Sequence, residues 1–392
     1  MKHGKDREIH MNIAKKVRMA IIGIGNMGRT YACNIADGFV EGMELTAVCC
    51  RNEEGRRWAK ERLGEGLVLV DSTDKLFELE DVFDAVLIVT PHKIHPELTI
   101  KAFEKGYHVF CDKPAGITAR DARRMIESGK RAGKAYAMMF HNRTMPVYEK
   151  IKEMLTLGEV GELLRIDYVN TKPYRTKCYH TSSPWRSSFE HEGGGLLINQ
   201  GQHYLDLWQW LFGMPKRLTA TIDYGKYNDF TVDDNCTIYM EFAGGVRGRF
   251  FSSTGEPAGE ERIEVVGTKA KLVCLDGTLT VSRYERSTKE WYETNTEPFG
   301  KLKIEKEVIT YEPCKAPYVV MLQNFSDHLR KGVALIADGY DGYRTLQLSN
   351  AAYTSSWLEK EIELPVEETV FAQLLNEAVK KEQEKKSKET RS

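Results

Sequence analysis

The stretch Val17–Ile22 followed by Gly23-Ile24-Gly25-Asn26-Met27-Gly28 constrains this chain more than any other. A short apolar run of strand length stops at G-x-G-x-x-G, and a helical stretch reaching about residue 39 begins inside the motif. Each glycine has a physical task at such a junction. One makes the tight turn, one lets the backbone approach a pyrophosphate, and one lets helix and strand pack closely. The free N–H groups of the first helical turn then face the anion. In a chain with 32 glycines the motif alone is weak. Its place after the first strand of an alternating series is what gives it weight.

That series continues with a strand over 45–50, a helix over 53–63 and a strand over 83–90, the most hydrophobic of the chain. A helix over 96–105 and a strand over 107–111 follow. Next come a helix capped by Thr118 and running to about 131, and a strand over 135–140. Strands alternating with helices of about ten residues predict a parallel sheet covered on both faces. Residues 17–140 are therefore expected to form one α/β dinucleotide-binding domain. The usual acidic residue at the end of the second strand, which holds the ribose 2′-hydroxyl, is absent. Cys50 stands there, with Arg51 beside it. Losing the carboxylate removes a repulsion against a 2′-phosphate and a guanidinium can pair with one, so NAD and NADP both stay open. Arg51 could equally lie over the adenine or be solvated.

Beyond residue 140 the rhythm changes. A helix over 146–156, a strand over 163–170 and a loop over 171–192 lead to a triple glycine and a helix over 195–212. From 217 to 311 strand-like runs are separated by Gly, Asp and Asn, as in antiparallel hairpins. Helices over 317–331 and 341–359 are expected to close this second, α+β domain (141–365). The polar extension 1–16 and the segment 366–392, a charged helix fraying into disorder, flank the two domains.

Composition excludes several function classes. The chain's 56 Lys and Arg balance 57 Asp and Glu, which gives no basic excess for nucleic-acid phosphates. No apolar run nears the roughly 20 residues of a membrane span, and the polar first sixteen residues lack the apolar middle of a signal peptide. A cytoplasmic protein with no membrane or nucleic-acid partner is expected. The eight cysteines form no C-x-x-C pair and the ten histidines form no cluster, so reduced cysteines and no metal site are expected.

Three further segments carry polar groups to the presumed cleft: T-P-H-K-I-H-P (90–96), C-D-K-P (111–114) and G-G-G-L-L-I-N-Q-G-Q-H-Y-L-D-L (193–207). With the glycine turn, they make residues 17–365 resemble the Gfo/Idh/MocA oxidoreductases, named for glucose–fructose oxidoreductase and inositol dehydrogenase. The resemblance implies a Rossmann domain followed by a domain with a large open, mostly antiparallel sheet. It also implies a homo-oligomer, dimer or tetramer, through that sheet, and hydride transfer between NAD(P) and a secondary hydroxyl of a sugar or cyclitol.

By that resemblance Lys113, in Asp112-Lys113-Pro114, takes the place of the lysine in the family's E-K-P motif, between nicotinamide and substrate, where an ammonium stabilises the alkoxide. Asp112 departs from the family's Glu, and its role is expected to be orienting its neighbours. His203 takes the place of the histidine in the family's D-x-x-x-H motif. It is the expected general base, since imidazole exchanges protons near neutrality. Asn199 replaces the Asp of that motif and is expected to share a helical face with His203 and to orient substrate. Thr90, Pro91 and His92 are expected to line the dinucleotide cleft, with His95 either beside them or capping the next helix.

In the loop 171–192, Arg186 and Trp185 are expected to contact a sugar, and Tyr174 and Tyr179 to do so more weakly. Trp185 could also be a core residue. Three functions stay open at this point. One is a dehydrogenase of a sugar, glycoside or cyclitol. Another is a glycoside-processing enzyme that uses tightly held NAD for transient 3-oxidation and elimination. The last is a dinucleotide-binding regulator without turnover.

Overall fold

The computed structural model describes residues 15–389; most of the N-terminal extension and the last three residues of the tail lie outside them. The first domain runs β1 (Val17–Ile22), α1 (Asn26–Ala36), β2 (Met43–Cys49), α2 (Glu53–Leu63), β3 (Val68–Val70) and α3 (Thr73–Phe77). It continues with β4 (Ala85–Ile88), α4 (His95–Glu104), β5 (His108–Cys111), α5 (Ala119–Ala132) and β6 (Tyr136–Met138). The strands pair in parallel in the order β3-β2-β1-β4-β5-β6. This is the order of dinucleotide-binding sheets, with the ligand crevice outside the carboxyl ends of the strands beside β1 and β4. Ala20, Ile21, Val86, Leu87, Val109 and Phe110 are fully buried, as strands covered on both faces require.

Local chemistry explains most boundaries. Thr118 and Asp121 form a reciprocal capping box at the start of α5, and Gly133 closes that helix in the left-handed conformation. Asn52 caps α2 by accepting from Glu54 N. The pair β3 and α3 was not anticipated, because a strand of three residues is too short to show a period.

The second domain contains α6 (Pro146–Thr156), β7 (Leu163–Asn170), α7 (Lys177–Thr181), α8 (Gly201–Phe212), β8 (Arg217–Tyr224), β9 (Asp233–Glu241) and β10 (Arg247–Ser253). Then come β11 (Glu261–Gly267), β12 (Ala270–Leu275), β13 (Thr278–Tyr284), α9 (Thr288–Thr294), β14 (Ile304–Thr310), α10 (Pro317–Lys331), α11 (Gly339–Leu358), β15 (Ile362–Glu363) and α12 (Glu368–Glu389). Nine strands form one sheet in the order β14-β13-β12-β11-β7-β10-β9-β8-β15. All neighbours are antiparallel except β7 and β10. One face buries Ile166, Tyr168, Ile238, Phe250, Ile263 and Val265 in the same core as Leu205 and Trp208 of α8. The other face carries Tyr239, 58% exposed, and a ladder of ion pairs in which Asp167 takes Arg249 at 2.7 Å and Arg262 at 3.0 Å.

Two expectations change. Helix α10 does not close the second domain, since Met321, Leu322 and Phe325 are buried in the core of the first. The tail is likewise no fraying end up to residue 389: α12 buries Phe371 against Trp357 and packs Leu375, Ala378 and Val379 on the second core. Among the described residues no helix is long and apolar enough to cross a membrane, and no group of three metal-ligating side chains is gathered.

Candidate active site

Strand ends bring the sequence motifs together. Gly23 follows β1, Thr90 and Pro91 follow β4, and Asp112, Lys113 and Pro114 follow β5, all at the carboxyl edge of neighbouring parallel strands. Gly23 has φ +103°, and a Cβ there would lie 2.3 Å from Val89 O; a Cβ on Gly28 would lie 2.0 Å from Gly23 O. The turn therefore admits only glycine at both positions. A Cβ on Gly25 would meet nothing within 4 Å, and the α1 N-terminus has no side-chain cap. An open cradle with free N–H groups is what a pyrophosphate needs. The Thr90 hydroxyl, buried without a partner at the same edge, is a further polar group open to a ligand. These residues fit a dinucleotide.

Across the cleft the second domain supplies a network. Lys113 Nζ donates to both the backbone O and Oδ1 of Asn199, each at 3.0 Å. Asn199 Nδ2 donates to Glu192 Oε1 at 2.5 Å and to the Tyr179 hydroxyl at 3.1 Å. That hydroxyl also accepts from Gln200 Nε2 at 2.9 Å and Arg186 Nη1 at 2.7 Å. The Arg186 guanidinium lies 4.5 Å from the ring centres of both Tyr179 and Trp185, a stacked arrangement that a guanidinium suits better than an ammonium. Trp185 in turn meets His92 edge-on at 5.3 Å.

His203 sits in the first turn of α8 with its ring 4.6 Å from that of His141, and Nδ1 of each ring is buried without a protein partner. Burial, the Lys113 charge and His141 hold the His203 imidazole well below its usual pKa. Burial, then Lys113, hold His141 at about 4. Both rings are therefore neutral at pH 7. Burial likewise lowers the Lys113 ammonium, while Asp112 and Glu192 pull it back up. Glu192 is pushed up to about 7 by burial, against the opposing pull of Ser187 N–H, Asn199, Arg186 and Lys113.

A family model described as the oxidoreductase family, NAD-binding Rossmann fold, matches residues 17–140, and one described as the GFO/IDH/MocA C-terminal domain matches 148–273. The chain belongs to the Gfo/Idh/MocA family. It is an NAD(P)-binding oxidoreductase. Among its relatives, the D-glucoside 3-dehydrogenase of Escherichia coli (strain K12) is 32% identical over 203 residues, covering 51% of this chain and 55% of that protein. The scyllo-inositol 2-dehydrogenase (NAD(+)) of Bacillus subtilis (strain 168) is 26% identical over 349 residues, 87% of this chain and 94% of that one. The fold matches the WlbA dehydrogenase from Bordetella pertussis, solved with NADH and UDP-GlcNAcA, with a TM-score of 0.75 at 22% identity over 90% of this chain and 100% of that one.

Within this Gfo/Idh/MocA site, the sequence-predicted residues fall into three groups. Lys113, Asn199, Tyr179, Arg186 and Trp185 join one network, with His203 in the next turn. His92 and His95 are used by the protein itself. His92 Nδ1 lies 3.1 Å from Glu192 O, and the His95 nitrogens lie 2.8 Å from Pro114 O and 2.6 Å from Thr90 O. His95, 1% exposed, thus ties the two cofactor-side loops together. Asp112 accepts from Lys113 N at 2.8 Å and from the Tyr31 hydroxyl at 3.5 Å, and so orients its own loop. Tyr174 stands outside the network, 45% exposed, with its carbonyl bound to Arg175.

The expected shared helical face of Asn199 and His203 is not what forms. Helix α8 begins at Gly201, and Asn199 lies in the preceding turn. Buried Asp233 accepts from Gly195 N and Leu197 N, both at 2.7 Å. Gly194 at φ +146° breaks the backbone just before. The helix cannot start until this turn is complete. Glu192 and His141 were not foreseen. Their only signals were adjacency to the triple glycine and to the last strand of the first domain.

Proposed function

We propose that this oxidoreductase transfers hydride between NAD(P) and a secondary ring hydroxyl of a sugar, glycoside or cyclitol. One observation carries the proposal. Lys113 from the first domain is held at 3.0 Å by Asn199, one turn from His203 of the second, and its charge acts on the His203 ring. An ammonium has three N–H donors; Asn199 takes two, leaving one for a substrate oxygen. The neutral His203 accepts the hydroxyl proton, and Lys113 stabilises the oxyanion left behind. The dinucleotide, when bound, supplies the hydride acceptor. The stacked Tyr179, Arg186 and Trp185 offer apolar faces and N–H donors to a ring with hydroxyl groups. The names of the glucoside and inositol dehydrogenases among the relatives support a ring substrate.

The loop after β2 favours NADP. Arg51 is exposed, Arg56 Nη1 donates to the carbonyls of Cys50 and Arg51 at 2.7 and 2.8 Å, and Cys50 stands where the ribose-binding carboxylate is usual, so guanidinium groups flank the place where a ribose phosphate would lie. The exposed sheet face with Tyr239 is assigned to a homo-oligomer contact, which sedimentation of the Tyr239→Glu variant tests by dissociation.

Offered hexoses, inositols and methyl glycosides with NADP or NAD, the protein should change absorbance at 340 nm. Lys113→Met and His203→Ala should each lower turnover at least about 100-fold while NAD(P)H affinity stays the same. Unchanged rates in both variants would falsify the assignment. Product without added dinucleotide would instead point to transient 3-oxidation and elimination.

A further inference from the structure

We infer that the C-terminal helix is a working part of the site, and that Glu382 is the positioning residue through which it holds the wall of the sugar pocket. Along α12, Phe371, Leu375, Ala378 and Glu382 recur at helical spacing on one face. The first three pack on the second core. Glu382, on the same stripe, is only 1% exposed. A carboxylate is placed in such a position only when its charge is met by donors. Here Glu382 Oε2 accepts from Ser188 Oγ at 3.1 Å, Phe189 N at 2.9 Å and Glu190 N at 3.3 Å. Oε1 accepts from Lys386 Nζ at 2.8 Å.

The segment so gripped lies between the two halves of the candidate pocket. Trp185 and Arg186 precede it and Glu192 follows it. It is held from the other side too, because Ser187 N donates to Glu192 Oε2 at 2.5 Å. Ser187 itself has φ +53°, a left-handed conformation that a non-glycine residue holds only when its surroundings impose it. Two carboxylates, Glu192 from within the loop and Glu382 from about two hundred residues away, thus bind the backbone N–H groups of Ser187, Phe189 and Glu190 just after the Arg186 stack. Without Glu382, three donors lose their acceptor and the turn that aims Trp185 and Arg186 is free to relax.

This inference rests on the pocket assignment above, and hydrogen–deuterium exchange on the full chain separates the two. In Glu382→Ala, exchange at the amides of Phe189 and Glu190 should speed up at least about tenfold, the loss expected for hydrogen bonds to a charged acceptor. KM for methyl β-D-glucoside should rise about tenfold by the same loss, with kcat and NAD(P)H affinity held. Glu382→Gln, which keeps an acceptor oxygen, should recover part of both, and exposed Glu384→Ala should leave both unchanged. If Glu382→Ala does not fold, the Gln variant carries the test through its smaller shifts in exchange and KM. Exchange unchanged in a folded variant, or faster exchange with an unchanged KM, overturns the proposal. If the unaltered protein oxidises no hexose, inositol or glycoside, the pocket assignment fails, and the exchange result alone decides whether Glu382 holds the loop.

Discussion

The two walls of the cleft are built on different physical principles. On the Rossmann side, ligand-facing groups sit at the ends of β1, β4 and β5, and main-chain geometry presents them: a glycine turn, an uncapped helix start, the carboxyl edge of a parallel sheet. On the opposite side almost every group is placed by another side chain. Asn199 is held by Lys113 and Glu192, Arg186 by Tyr179 and Trp185, and the loop between them by Glu382. A wall shaped by backbone tolerates changes in its outward side chains. One shaped by buried charges does not, because removing either partner leaves the other desolvated and unpaired.

The largest effect is expected at Arg143, which joins the His141 turn to α8 and α11. It is 4% exposed and binds Asp206 at 2.6 Å and Asp341 at 2.8 Å. Arg143→Met should cost about 3–5 kcal/mol in urea unfolding, the usual result of orphaning buried carboxylates. A loss no greater than that of a surface change would erase the contrast between the walls.

Glu192 sharpens the contrast through pH. Its pKa rises from 4.5 in the unfolded chain to about 7 in the fold, so its proton stabilises the folded form below pH 4.5, and that contribution is lost as pH climbs through 7. Measured against Glu192→Gln, the unaltered protein should lose about 3 kcal/mol of relative stability between pH 4 and 8. The inflection of its kcat/KM profile near pH 7 should vanish in the variant. Parallel stability curves would show that Glu192 is not buried as described.

On the cofactor wall the effects should be smaller and confined to one ligand. Arg51→Ala is expected to raise the NADPH dissociation constant about tenfold, as for one charge-assisted contact. NADH affinity and the melting temperature should not move, and fluorescence titration with both nucleotides reads the difference. Smallest of all, Thr118→Ala removes the α5 cap and should cost about 1 kcal/mol, with no change in either KM.

Legibility followed the same divide. The Rossmann strands other than β3, the α2 and α6 boundaries and the Thr118 cap could be read directly, since each depends on residues a few positions apart. Lys113 and His203 were singled out through the resemblance of their segments to the family's motifs. Glu192, Glu382 and Arg143 look in sequence like any solvated charge, the ordinary fate of such residues. The Asn199 turn was misplaced for a related reason. Helical spacing extends smoothly through 195–212, and only Asp233, which binds the N–H groups of Gly195 and Leu197, delays the helix.

The sequence by itself determined a nucleotide-binding α/β half and a second domain rich in antiparallel strands, and its family resemblance singled out the lysine and the histidine proposed for the site. Periodicity, glycine turns and caps act over a few residues, and the chain states them locally. Which charges are buried, which side chains meet across the cleft, and how the last helix reaches the pocket loop were decided only by the tertiary structure. Desolvation and pairing are properties of neighbours in space, and those neighbours here are separated by up to about two hundred positions along the chain.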